Sequence, residues 1–148
     1  MTRSTTIRSL GTLVQLRSTQ VERLEADLAS QEATRVRYQN NLQRLTALTH
    51  GSGASGAALP TNPAMALNCG AYKQGVMALA DSHRVDLSLH EANMAVSQDR
   101  LRDAWIGREL LGKVLARTQD AHAAENERAT RKREDEIATQ SWMAGRAT

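Results

Sequence analysis

The chain has 148 residues with no Phe, two Trp, two Tyr and two Pro, which leaves little aromatic mass for the core of a compact enzyme and suits long helices. A formal net charge of +3, with 24% charged residues, is too mild to indicate nucleic-acid binding by itself. A single cysteine, Cys69, cannot form an internal disulfide, and no run of about 20 apolar residues predicts a transmembrane segment. Residues 1–6 do not resemble a signal peptide, so we expect a protein of the reducing cytoplasm.

A heptad pattern predicts a first helix over about residues 4–49. Steps of four and three residues from Leu10 define one helix face on which eight of twelve residues are apolar. We call this face the first seam, and it consists of Leu10, Val14, Arg17, Val21, Leu24, Leu28, Gln31, Arg35, Tyr38, Leu42, Leu45 and Thr49. A stripe of this length requires a partner with the same period.

A stretch rich in Gly, Ser and Pro follows and predicts a flexible loop over residues 50–62. Asn62 can cap a new helix, and Pro63 suits its first turn, where a missing N–H costs nothing. The second helix is predicted over about residues 63–141. Its seam again has eight apolar residues among twelve and consists of Val76, Ala80, His83, Leu87, His90, Met94, Ser97, Leu101, Ala104, Arg108, Leu111 and Leu115.

The two seams predict an all-α fold: one antiparallel two-helix coiled-coil hairpin with unequal helices, spanning residues 1–148 as a single domain. If Thr49 lies opposite Val76, then Leu10 lies opposite Leu115. Beyond Leu115 the seam positions become mostly polar, so residues 117–148 are predicted to form a charged overhang without a partner helix. The polar seam residues Arg17, Gln31 and Arg35 are expected to fix the register of the pairing.

The sequence contains no recognisable catalytic, cofactor or metal-binding motif. His83 and His90 are seven residues apart, two helical turns, which is too far for a shared metal ion. His90-Glu91 lacks the second His of a helical zinc-protease motif, and the glycine-rich loop lacks the Lys-Ser/Thr of a phosphate-binding loop. We therefore predict that the protein is not an enzyme and has no cofactor.

Three surface features remain as candidate interaction sites. The first, which we call the outward stripe, falls opposite the seam and consists of Val85, Leu89, Ala92 and Val96. The second, which we call the loop-side row, follows steps of four, three and four residues and consists of Tyr72, Val76, Leu79 and His83. The third, which we call the basic cluster, lies in the overhang and consists of Arg128, Arg131, Lys132 and Arg133. Each of these sets is also compatible with ordinary packing or a solvated helix surface.

These residues resemble the FliJ family, the small coiled-coil component of the bacterial flagellar type III export apparatus. The C-terminal sequence Asp135-Glu136-Ile137-Ala138 matches the family's ending, and the loop-side row is similar to the aromatic, aliphatic, small, His row through which the family contacts the export gate. Here Tyr72 and Leu79 occupy the aromatic and small positions, and the basic cluster is one residue longer than the family pattern.

The resemblance implies a non-enzymatic protein that resembles the central stalk of rotary ATPases. Its implied partners are the hexameric ring of the export ATPase, the cytoplasmic domain of the membrane export-gate protein, and export chaperones. The loop-side row would bind the gate, and the outward stripe would bind a chaperone or another partner. The ATPase would contact Leu10, Leu13, Arg128, Arg131, Lys132 and Arg133. The implied location is the cytoplasmic face of the inner membrane at the flagellar base, with peripheral attachment.

Three alternatives remain open from the sequence. The equivalent stalk protein of a virulence type III secretion system would share the hairpin and its charge layout. A structural coiled-coil protein would bury the outward stripe against a second copy. Nucleic-acid binding through residues 128–133 would require a strongly salt-dependent affinity, and we do not expect it.

Overall fold

A computed structural model describes residues 2–51 and 62–146, and all the structure below refers to them. Two helices and no strand occur in these ranges: α1 spans Arg3–Gly51 and α2 spans Pro63–Gly145. The fold is therefore all-α with two long helices of unequal length, as predicted. The helix bounds differ from the expected 4–49 and 63–141 by up to four residues, and most of the predicted loop lies outside the described residues.

A short polar residue precedes each helix, and at the second helix its side chain satisfies an N–H group of the first turn. The backbone carbonyl of Thr2 accepts hydrogen bonds from the N–H groups of Thr5 and Thr6 at the start of α1. The side-chain Oδ1 of Asn62 accepts one from the N–H of Ala64 at 3.0 Å, and Pro63 occupies the first helical position. Asn62 therefore acts as the helix cap that the sequence predicts.

The chain divides into two compact units, each built from parts of both helices. We call Glu22–Arg102 the central unit. We call Met1–Val21 together with Asp103–Thr148 the terminal unit. The sequence pattern predicts one hairpin domain with an overhang, and it does not mark the boundary between these two units.

The predicted seams are the buried faces of both helices. Eleven of the twelve first-seam residues are buried or half-buried, and the same is true of eleven of the twelve second-seam residues. The most buried side chains are Val21, Val76, Ala80 and Met94, and all four belong to the seams. Beyond Leu115 only Thr118 and His122 remain half-buried, and every residue from 123 to 146 is exposed. Apolar burial thus ends where the apolar seam ends.

Cross-helix contacts in the central unit agree with the predicted register. That register places Gln31 opposite Met94, and the observed partners of Gln31 lie within four residues of Met94. The side-chain amide of Gln31 donates a hydrogen bond to Ser97 Oγ at 3.1 Å, and its backbone carbonyl oxygen lies 2.8 Å from Nε2 of His90. The Tyr38 ring contacts the rings of His83 and His90, with centroids 6.2 and 5.7 Å apart.

The terminal unit shows the same register through one ion pair, between Arg3 and Glu125. The register also places Arg17 of the first seam opposite Arg108 of the second, and these are the two seam residues that are exposed. Two guanidinium groups at one level of a seam repel each other and lose solvation on burial, so both turn toward water. The expectation that Arg17 fixes the register is therefore not supported, whereas Gln31 makes cross-helix hydrogen bonds and Arg35 approaches Glu91 at 4.0 Å.

Candidate interaction surfaces

The loop-side row lies in the central unit and divides into two accessible and two packed side chains. Tyr72 and Leu79 are 52% and 49% exposed, whereas Val76 is only 8% exposed. His83 is half-buried, and its ring packs edge-on against Tyr38. The accessible part of the row is therefore Tyr72 and Leu79, while Val76 and His83 hold that section of α2 against α1.

Leu48 of α1 adds an apolar residue that sequence reasoning missed. It is exposed, and the register places it on the same flank of the helix pair as Tyr72 and Leu79. The signal for it was available, because Leu48 immediately precedes a first-seam position and therefore flanks the seam. A surface that presents Tyr72, Leu79 and Leu48 draws residues from both helices.

A groove of about 260 Å³ lies in the central unit between α1 and α2. Its deepest residue, Ala80, belongs to the second seam, and its charged groups include an ion pair between Asp81 and Arg84. The lining residues are Thr46, Thr49, His50, Lys73, Met77, Ala80, Asp81 and Arg84. Sequence reasoning did not find this groove, because its lining comes from segments more than 20 residues apart on two helices.

The outward stripe is exposed along its whole length. Val85, Leu89 and Val96 are 68%, 62% and 51% exposed, and Ala92 is exposed as well. Together with Arg84 and Ser88, the first three of its residues line a shallow open depression on α2. No described part of α1 covers this face, so the stripe is surface in the isolated chain.

The residues predicted to contact the ATPase lie in the terminal unit, in two places along it. Leu13 is exposed, whereas Leu10 is half-buried in the first seam opposite Leu115. All four residues of the basic cluster are exposed, and Arg131 lies 3.5 Å from Glu127 of the preceding turn. Since Arg128 follows Leu115 by 13 residues, the cluster begins about 20 Å along α2 from Leu10. The structure does not bring the two sets into one contact surface.

The terminal unit also exposes apolar side chains that sequence reasoning did not single out. Leu16 of α1 and Leu110 and Val114 of α2 are all exposed. The register places Leu13 close to Val114 on one flank of the seam. The signal was the apolar character of positions that flank or oppose the seam, where a solvated two-helix coiled coil carries polar residues. These residues extend the apolar surface around Leu13 along both helices.

The ionisable groups do not form a catalytic or metal-binding arrangement within residues 2–51 and 62–146. No group of three or more His, Cys, Asp or Glu residues in these ranges is placed to hold a metal ion. His90 is occupied by its contact with the Gln31 carbonyl oxygen, and His122 lies 3.2 Å from the side-chain amide of Asn126. The described helices also include none that is long and apolar enough to cross a membrane.

Comparison with protein-family models gives a match that covers nearly the whole chain. The model described as flagellar FliJ protein matches residues 6–147. The chain belongs to the FliJ family. No curated protein and no solved structure matches the chain. FliJ proteins are non-enzymatic structural and escort components of flagellar protein export, so family membership makes this chain a component of that apparatus. Membership also fits a cytoplasmic location at the flagellar base.

Proposed function

We propose that the protein links the export ATPase to the membrane export gate through two separate surfaces. Its terminal unit binds the hexameric ATPase ring and stimulates ATP hydrolysis, and its central unit binds the cytoplasmic domain of the gate protein. The observation that carries this proposal is the family match over residues 6–147 in a chain whose candidate contact residues fall into both units. The match favours the flagellar apparatus over a virulence secretion system.

The proposed gate contact consists of Tyr72 and Leu79, with Leu48 beside them. Both α2 residues are about half exposed although their neighbour Val76 is buried, so they can contact a partner without opening the seam. A small apolar patch on a stable helix pair loses little side-chain freedom when it binds. His83 and Val76 contribute by positioning this patch.

The proposed ATPase contact combines the exposed helix of residues 123–146 with the surface around Leu13. The first of these has no described helix beside it, and it carries the basic cluster followed by Glu134, Asp135 and Glu136. Exposed charges accelerate encounter and give contacts of modest strength, which suits a protein that must engage and release a working ATPase. Leu13 and its apolar neighbours provide the apolar contact area that such charged contacts lack.

Escort of export chaperones is the third part of the proposal, and the outward stripe is the candidate surface. Its spacing of four, three and four residues fits the apolar face of a partner helix. It lies on the face of α2 opposite the seam, so a chaperone can occupy it while the seam stays intact.

The proposal is tested by adding the purified chain to the export ATPase from the same cell and measuring ATP hydrolysis and ring assembly. We expect both to increase with the concentration of the chain. The absence of any increase, with helix content intact by circular dichroism, would contradict the ATPase part of the proposal.

The gate part is tested with Tyr72→Ala and Leu79→Ala combined in one variant. We expect loss of motility and of binding to the gate domain, with the thermal unfolding temperature unchanged. Met65→Ala with Leu67→Ala is the matched control, because both residues are exposed apolar positions of α2 outside the proposed contact. Unfolding of the double variant would instead make Tyr72 and Leu79 packing residues, and equal loss in the control would remove their special role.

A further inference from the structure

The outward stripe is short, and a polar residue follows it at each end along α2. Continuing its spacing leads to Ser82 before Val85 and to Asp99 after Val96. The apolar part therefore covers about 17 Å of α2, or about three turns. An apolar surface of this length accommodates one partner helix that runs along it.

The pattern of side chains along the stripe is complementary to itself in the antiparallel direction. If two copies of α2 face each other with Val85 of one opposite Val96 of the other, then Leu89 of each copy meets the other's Ala92. Two valine pairs and two pairs of large and small residues result, which allows the helices to interlock. A parallel arrangement would place leucine against leucine and leave a gap between the alanines.

The charges beside the stripe favour the same arrangement. Asp81 and Arg102 are 21 residues apart, three heptads, so both lie on one side of the stripe. In the antiparallel arrangement Asp81 of each copy falls beside Arg102 of the other, which makes two ion pairs. In the parallel arrangement each would face its own like charge.

The side chains of Asp81 and Arg102 can both leave their present ion pairs to form these contacts with a second copy. Asp81 pairs with Arg84 and Arg102 pairs with Asp99, each within one turn of α2, and the side chains of all four are more than half exposed. Ion pairs this exposed contribute little free energy and exchange readily. All of these residues belong to the central unit.

We propose that a second copy of this chain covers the outward stripe, as a symmetric antiparallel dimer formed through residues 81–102 of α2. The same patch serves both copies, so the association closes at two chains. The apolar contact is small, and we expect a dissociation constant on the order of 10–100 µM, at the weak end for specific protein contacts. This dimer does not depend on the proposed export role, and any chaperone that uses the stripe competes with it.

Sedimentation equilibrium of the full chain, from about 10 µM to 1 mM, tests the dimer. We expect a reversible monomer–dimer equilibrium that Leu89→Asp abolishes, with helix content unchanged. The matched control is Ile137→Asp, which alters an equally exposed apolar residue of the terminal unit and leaves the dimer intact. A monomeric chain at the highest concentration overturns the proposal, as does a dimer that survives Leu89→Asp.

Charge reversal tests the antiparallel arrangement independently. Asp81→Arg and Arg102→Asp each replace two attractive pairs with two repulsive ones, so each variant alone should dimerise about tenfold more weakly. An equimolar mixture of the two variants restores both attractive pairs and should dimerise like the unaltered chain. The variant that combines both changes should do the same. Failure of the mixture and of the combined variant to recover would overturn the antiparallel arrangement.

Discussion

The central and terminal units use the same heptad repeat in different ways. In the central unit, Gln31 contacts Ser97 and His90 across the helix pair and Arg35 approaches Glu91, although Oε1 of Gln31 and Nδ1 of His83 are buried without a hydrogen-bond partner. In the terminal unit, the register places Arg17 opposite Arg108, and both are exposed, with Arg17 donating a hydrogen bond to Gln20 of its own helix. The heptad repeat therefore fixes which residues of the two helices pair only where its polar residues can contact each other. Where they cannot, these residues stay exposed and are available to a partner protein.

The central and terminal units also differ in the kind of surface that they offer to partner proteins. The central unit presents its exposed apolar residues on well-paired helix, whereas the terminal unit continues into the exposed stretch of residues 123–146. Contacts made by the central unit should be insensitive to the stability of the terminal seam. Three sets of substitutions, taken in order of expected effect, test how different the two units are.

Placing a carboxylate in the seam should have the largest effect. Ala80 is 3% exposed, and Ala80→Asp places a carboxylate in the seam, where Lys73 and Arg84 of the same groove offset only part of its lost solvation, so we expect a loss of about 2–3 kcal/mol in the free energy of unfolding. Ala129→Asp changes a residue that continues the heptad position of Ala80 but is exposed. Its effect should stay below about 1 kcal/mol, as helix propensity alone dictates. Urea denaturation measures the free energy of unfolding of both variants. Equal losses in the two variants would contradict the conclusion that the buried seam ends near Leu115.

Removing the opposed arginines should stabilise the terminal unit. Arg17→Leu combined with Arg108→Leu completes an apolar layer and relieves the repulsion, for a gain of roughly 1–3 kcal/mol. Arg128→Leu with Arg131→Leu deletes the same number of charges from exposed helix and should leave stability almost unchanged. Thermal unfolding distinguishes the pairs of changes. A destabilised seam variant would mean that the two arginines are not opposed.

The smallest effect concerns two glycines within α2 of the terminal unit. A Cβ atom added at Gly107 or Gly112 meets nothing within 4 Å, so packing does not require either glycine. Gly107→Ala and Gly112→Ala should each stabilise the protein by about 0.5–1 kcal/mol by reducing the entropy lost on folding. Ala116→Gly, at an exposed position nearby, should destabilise it by a similar amount. Destabilisation by either alanine would indicate a conformational role for that glycine.

Much of the fold follows from the sequence because the heptad period alone fixes which face of each helix is buried. The positions of the seams, the cap at Asn62 and the end of apolar burial after Leu115 all follow from local pattern. The outward orientation of Arg17 does not, since it depends on which residue lies opposite. The resemblance that the residues suggest is confirmed by the family match over residues 6–147.

The candidate sites are less predictable, because a site depends on what two helices present together. The exposed outward stripe could be placed from the period of α2 alone. In contrast, Leu48 joins Tyr72 and Leu79 only through the register, and the groove beside Ala80 requires both helices. The roles of the loop-side row and the basic cluster rest on resemblance and stay predictions.

The most direct test of the account uses one variant in each unit and two assays on both. Arg128→Glu with Lys132→Glu alters the terminal unit, and Tyr72→Ala with Leu79→Ala alters the central unit. The assays are stimulation of ATP hydrolysis by the export ATPase and binding to the cytoplasmic domain of the gate protein. We predict that the terminal variant loses stimulation and keeps gate binding, and that the central variant does the reverse. Loss of both activities in either folded variant would contradict separate partner surfaces in the two units.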